Sequence, residues 1–579
     1  MNHAVSHKRS IVPGIFGQIK TGAALCGVLL MSACAANDGP LSRDSSHPDL
    51  QAGSANGEAA RDARLAEAEL AWQFGDLARA QAIYLELLDT HPDPAVFRRA
   101  AEITVALEDW DRLDALVSGW ATDHPDDAMV LQLGVLADLR RGRAEAAAAR
   151  FQRNYADRLE PAEFWAVASS VLAAAGDPQV AMTAMRELLR LNRASPDFAA
   201  LESSQLAWRL GLHQRALALA KQAFELAPDR SHGRWLIAVA SQLEDHETAL
   251  EAFATLDAAG LLDPELARRQ AELLAGLGRT EEALARLRDL ATDPEALYLR
   301  GALLADSGQT AEAREVWNQL ADLAEADGGT RAAWLTGLLA EMVGIDEQAL
   351  AWYRRVDVGE EPRARLREAA VLARMGRHEE ALSLLDALAV GGDRQLDADR
   401  SLLISQLLHE SGHPEEALAR LNEALAEFPD STDLLYARAM LAVSLDQLEL
   451  AEQDLRAIIQ LEPDNATALN ALGYVLADRT DRYREARRLI EGALALEPDN
   501  PSILDSMGWV LYKLGDTDAA LDYLERAAVE VHPEIIAHLV EVLMAAERHD
   551  EARELAGQHH DLLADDPAYR ELLRRLGLQ

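Results

Sequence analysis

The sequence predicts an all-α fold, a solenoid of stacked helical hairpins, on three observations. Ala and Leu dominate the 579 residues, aromatics make up 5%, and β-branched runs bounded by turn residues are nearly absent, which favours helix. Past residue 60 no linker of distinct composition divides the chain, so one long architecture fits better than a string of domains. The third observation is a recurring pair in which Gly is followed five residues later by Ala. It occurs at Gly75/Ala80, Gly176/Ala181, Gly211/Ala216, Gly278/Ala283, Gly308/Ala313, Gly344/Ala349, Gly376/Ala381, Gly412/Ala417 and Gly515/Ala520. Ala249, Ala451, Ala486 and Ala552 fill the gaps at spacings of 30 to 36, and a period near 34 marks a stacked repeat.

Each recurrent position has a physical reason. Gly ends the first helix of a unit in a left-handed conformation, and the small Ala lets the second helix pack close to the first. Apolar residues four and seven further on, such as Leu421 and Ala424 or Leu524 and Ala527, complete the inner face of the second helix. In "EPDNATALNALG" and "EPDNPSILDSMG", Pro463 and Pro498 stop one helix while Asp or Asn caps the next. Units are expected to begin near 61, 94, 127, 162, 197, 230, 264, 294, 330, 362, 398, 432, 466, 501 and 533, about 15 in all. Those at 94 and 127 are expected to be degenerate and to lack the Gly/Ala pair. "DDPAYRELLRRLGL" predicts a capping helix within 565–579, as the end of a solenoid requires. From 61 to 564 these residues resemble the tetratricopeptide repeat.

The amino terminus reads as an address. Residues 1–20 carry Lys8, Arg9 and Lys20, and "TGAALCGVLLMSAC" supplies an apolar run of about a dozen residues, too short to span a membrane. "LLMSAC" resembles the bacterial lipoprotein signal, with Leu30, Ser32, Ala33 and Cys34 in place and Met31 where Leu is commonest. The resemblance implies cleavage after residue 33 and acylation of Cys34. Several acyl chains at ~0.8 kcal/mol per buried CH₂ make a stable anchor. Ala35 rather than Asp follows the cysteine, which in this class implies the outer membrane, facing the periplasm. Residues 35–60 are rich in Gly, Ser, Asp, Pro and Ala and predict a flexible tether with a root-mean-square span of roughly 28 Å.

Charge and chemistry exclude several functions. The net charge is -41, and the first 33 residues hold three cations and no acid, leaving -44 on the remainder. Nucleic acid and anionic lipid surfaces are poor partners for such a body. Cys26 and Cys34 are the only cysteines, so beyond residue 34 no disulfide, cysteine zinc site or thiol nucleophile exists. No zinc-protease histidine pair, P-loop, dinucleotide glycine motif or serine elbow is present. His559 and His560 are adjacent and point about 100° apart on a helix, which suits a solvated surface better than a metal. Acidic pairs such as "HEEA" and "PEEA" open second helices, where negative charge suits the dipole. No catalytic residue, metal, cofactor or small-molecule substrate is expected.

In "DSMGWVLYKLG" (505–515), Leu504, Met507, Leu511 and Leu514 share one helical face, whereas Asp505, Trp509 and Tyr512 share another. Tetratricopeptide solenoids present the first helix of each unit on their concave side. The resemblance therefore places Tyr436 and Met440, then Asn470, Tyr474 and Asp478, then Asp505, Trp509, Tyr512 and Lys513 on one wall. Large rigid rings with polar groups among them suit a peptide partner; wedging of the rings between neighbouring helices is the alternative.

"LNALGYVLADRTDRYREA" (469–486), "ILDSMGWVLYKLG" (503–515) and "PEIIAHLVEVL" (533–543) are more particular than the repeat consensus. They resemble the large tetratricopeptide outer-membrane lipoproteins of Gram-negative bacteria, of the LbcA type. That resemblance implies an adaptor that assembles a periplasmic carboxyl-terminal processing protease and delivers cell-wall hydrolases to it. The alternative it leaves open is a lipoprotein scaffold or activator of an envelope synthase or a polysaccharide secretion complex.

Overall fold

The computed structural model describes residues 55–125, 127–388, 393–529, 531–564 and 567–577. The signal-like stretch 1–33 and Cys34 lie outside the described residues. Every described element is an α-helix, and the helices pair into hairpins. The chain forms an all-α, tetratricopeptide-type solenoid, in two compact units that divide between Leu277 and Gly278.

In the first unit, six hairpins open with the helices Ala55–Gln73, Pro94–Ala106, Ala128–Arg140, Pro161–Ala173, Pro196–Arg209 and Arg230–Gln242, and the helix Pro264–Gly276 follows. The second unit starts with Thr280–Leu287. Eight hairpins then open with Pro294–Asp306, Thr330–Met342, Arg363–Arg374, Arg394–Glu410, Thr432–Ser444, Ala466–Arg479, Pro501–Lys513 and Pro533–Ala545. The first helix begins six residues ahead of the expected 61, inside the stretch read as tether. The chain finishes in His560–Ala564 and Pro567–Leu576; the latter packs on Pro533–Ala545 and buries Leu572, Leu573 and Leu576 in the core of the last repeats.

The Gly/Ala phase is the backbone of the architecture. All nine glycines of the expected pairs have φ between +71° and +88°, and all nine alanines are completely buried. Asn465 and Asn500 cap the helices after Pro463 and Pro498, accepting from the Ala468 and Ser502 amides at 2.8 and 3.0 Å. The units at 94 and 127 are more regular than expected. Gly142 (φ +74°) and the buried Ala147 form an ordinary pair in the 127 unit, so the expected lack of one there is wrong. In the 94 unit Glu108 takes the glycine place at φ +54° and Leu113 the alanine place, fully buried: the geometry survives although the residue types do not.

Asp446 stands in the same place at φ +58°, five residues before the buried Ala451. A left-handed non-glycine residue costs roughly 1–2 kcal/mol, so Asp446→Gly should raise stability by about 1 kcal/mol. Gly515→Ala, at φ +88°, should lower it by a similar amount. Urea midpoints of the two variants, moving in opposite directions, check both.

Within the second unit, successive first helices touch: Ala466–Arg479 meets Pro501–Lys513, which meets Pro533–Ala545. The second helices Leu448–Leu461, Tyr483–Leu496 and Thr517–Ala527 make no comparable contact with one another. The first helices therefore line the inner wall of this stretch. Close approach within a hairpin depends on glycine, since a Cβ on Gly508 would lie 2.5 Å from Leu524 Cγ and 3.1 Å from the Ala520 carbonyl oxygen.

Candidate binding surface

The wall built by these three helices holds most of the residues singled out from the sequence, and it is tied together across repeats. Asp505 and Trp509 are each 5% exposed and His538, from the following first helix, is 8% exposed. Nδ1 of His538 lies 3.0 Å from both Oδ1 and Oδ2 of Asp505. An ionised carboxylate only accepts, so Nδ1–H donates. The imidazole stacks on Trp509 at 4.1 Å between ring centres and 18° between planes. Above Trp509, Lys513 Nζ stands 4.3 Å from the ring centre, and Tyr512 flanks it at 5.5 Å.

Tyr474 reaches further. Its hydroxyl donates to Glu534 Oε1 at 2.5 Å across 60 residues of sequence, spanning the intervening repeat. Its ring lies 6.1 Å from that of His538. Burial, with the charge and hydrogen bond of Glu534, pushes the Tyr474 hydroxyl well above the usual phenol range. Burial opposes a charged His538, but the hydrogen bond and charge of Asp505, joined by Glu534 and Asp478, outweigh it and hold the imidazole above its ordinary value. The pair is a buried imidazole hydrogen-bonded to a carboxyl group inside the repeat stack, in surroundings that favour the charged ring.

Tyr474, Asp505, Trp509, Tyr512 and Lys513 are thus brought together, and two members of the cluster, His538 and Glu534, are additions to the residues expected from sequence. For Asp505 and Trp509 the sequence left both facing a partner and wedging between helices open. The following first helix covers them, so the rings are wedged between repeats as well as set on the wall. Leu514, placed on the core face, is 38% exposed just beyond the helix end. Tyr436 and Met440 are half-buried and pack on the core, and burial raises the Tyr436 hydroxyl. Asn470 is half-buried and its Oδ1 is buried without a hydrogen-bond partner. Trp509 Nε1 is likewise buried and unpartnered.

A cleft of about 230 Å³ elsewhere in the second unit is lined by Asp386, Asp397, Arg400 and Arg420. Its charges pair internally, Arg420 with Asp386 at 3.1 Å and Arg400 with Asp397 at 3.2 Å. Among the described residues no group of three His, Cys, Asp or Glu side chains is gathered to hold a metal ion. No described helix is long and apolar enough to cross a membrane. The wall offers a surface for contact with other proteins, and the described residues bring together no catalytic constellation.

Tetratricopeptide-repeat profiles match residues 408–473, 476–531 and 506–567, the segment that carries this wall. The chain is 37% identical over 209 residues to the TPR repeat-containing protein PA4667 of Pseudomonas aeruginosa. The match takes in 35% of this chain and 35% of that protein. Among solved structures, a tetratricopeptide-repeat protein of Parabacteroides merdae is 18% identical, with 43% of this chain and 98% of that one covered and a TM-score of 0.36. Pseudomonas aeruginosa pilF is 20% identical, with 37% and 96% covered and a TM-score of 0.31. The chain is a solenoid carrying tetratricopeptide repeats and is related to other bacterial tetratricopeptide-repeat proteins.

Proposed function

We propose that the chain is a lipid-anchored scaffold or adaptor at the periplasmic side of the outer membrane. In this reading it assembles a carboxyl-terminal processing protease and presents cell-wall hydrolases to it. The observation that carries the proposal is the wall itself. The three stretches resembling the adaptor lipoproteins, 469–486, 503–515 and 533–543, begin on three consecutive first helices whose side chains are bonded to one another, the first stretch running on into the paired helix Tyr483–Leu496. A surface held in one arrangement before binding loses less entropy on association. The anchor is supported by the sequence around Cys34, and the -41 net charge suits basic clients.

Affinity capture from detergent-solubilised envelopes tests it, comparing the wild type with Cys34→Ser. The wild type should bring down a serine protease and accelerate its cleavage of basic hydrolases. Cys34→Ser should leave the membrane fraction, since loss of acyl chains worth ~0.8 kcal/mol per CH₂ abolishes stable anchoring. Recovery of an envelope synthase with no change in proteolysis would instead support the scaffold alternative.

A further inference from the structure

Of the 56 Lys and Arg residues only Lys8, Lys20, Lys221 and Lys513 are lysines. The arginines of the second unit mostly clamp carboxylates, as Arg438 does Asp454 with two bonds of 2.7 and 2.8 Å. Lys513 differs. In a chain with 97 acids it makes no ion pair among the described residues, and its ammonium rests on the Trp509 ring. His538 stacks on that ring and Asp505 anchors His538, so the indole is fixed as a platform. Partly exposed Tyr512 stands beside it and partly exposed Tyr474 beside His538, and Asp478 and Glu541 are the acids that act on these two tyrosines at the margin.

We propose that the Trp509 platform is a cation site for a Lys or Arg side chain on an extended, basic segment of a protein partner, and that Lys513 occupies this site in the free protein. The proposal deepens, and rests on, the reading of the chain as a scaffold that binds proteins. Trp is the strongest aromatic receptor for a cation, and Arg stacks on it better than Lys because its guanidinium is planar and weakly hydrated. A flexible lysine stem is the internal group most easily displaced. A second observation points to a ligand independently: Trp509 is 5% exposed, yet its Nε1–H has no acceptor, and Asn470 Oδ1, on the preceding first helix, has no donor. A backbone carbonyl of an entering segment would meet the unpaired Trp509 Nε1–H. The acids at the margin and the net charge of -41 favour a basic segment over an acidic one.

The test uses the full chain and fluorescein-labelled dodecapeptides of Gly and Ser, one carrying three Arg and the other three Glu, followed by anisotropy. The Arg peptide should bind and the Glu peptide should not. Lys513→Ala should tighten Arg-peptide binding about threefold to fivefold, since the internal competitor is gone. Lys221→Ala, an equal change of net charge in the first unit, should leave it unaltered. Trp509→Phe should weaken binding about threefold, with circular dichroism confirming the helical fold. Equal binding of the two peptides, weaker binding by Lys513→Ala, or equal tightening by Lys221→Ala overturns the site. If these fail while envelope capture succeeds, the scaffold reading stands and the cation site falls. If capture fails while the peptide results hold, the cation site stands without the protease reading.

Discussion

Gly508→Val is expected to destabilise the last hairpins by about 3 kcal/mol, the upper end of the cost of overpacking. The first atom added at this position would meet Leu524 Cγ at 2.5 Å, Leu524 Cδ2 at 3.0 Å and the Ala520 carbonyl oxygen at 3.1 Å. Leu524 is fully buried and has little room to turn away; the carbonyl belongs to the paired helix and cannot move without it. Val adds two further methyl groups and a preference against helix. In a repeat stack stability is a sum of local terms, so the loss should be read locally. Amide exchange in Pro501–Lys513 and Thr517–Ala527 should quicken about a hundredfold, since 1.4 kcal/mol is a factor of ten. Exchange in Ala128–Arg140, in the other compact unit, should not change. Uniform acceleration throughout the chain would show that the hairpins do not open independently.

Asp505→Ala should cost about 3 kcal/mol at pH 5.5 and less at pH 8.5. His538 titrates above its ordinary value in the folded chain. Its contribution is therefore complete below the unfolded value and is lost as pH rises through the raised folded value. Without Asp505, burial acts against the charged ring, and Glu534 and Asp478 are the remaining acids facing it. The variant accordingly suffers most where the solvent would protonate the imidazole. Denaturant midpoints at the two pH values measure the difference, and Asp505→Asn, which keeps an acceptor, should lose less at pH 8.5 than Ala. A loss that grew with pH would mean that His538 is neutral in the fold.

The fold was legible because the repeat writes its geometry into two residue types. Gly and Ala five apart report a left-handed turn and a close helix pair, and at all nine expected pairs the structure has both. Legibility failed where geometry outlived residue identity. Glu108 and Leu113 perform the same turn and contact without the signature, while Gly142 and Ala147 carried the signature and were passed over. The site was half legible. The tetratricopeptide resemblance placed Tyr474, Asp505 and Trp509 on one wall, because each depends only on its position within its own unit. His538 and Glu534 were missed because their roles depend on the distance between units, which a repeat pattern does not specify. The acid at 505 and the imidazole at 538, nearly one period apart, were the available signal for the pair.

The Tyr474 to Glu534 hydrogen bond has a mechanical consequence. Hairpins that touch only their neighbours respond to load like springs in series, each one adding compliance. A bond that skips a hairpin acts in parallel with the two junctions it spans, so neither bends without stretching it. The segment from 466 to 545 should therefore behave as a stiff lever within a more pliant stack, and a pull applied to its wall should pass along the chain rather than dissipate where it is applied.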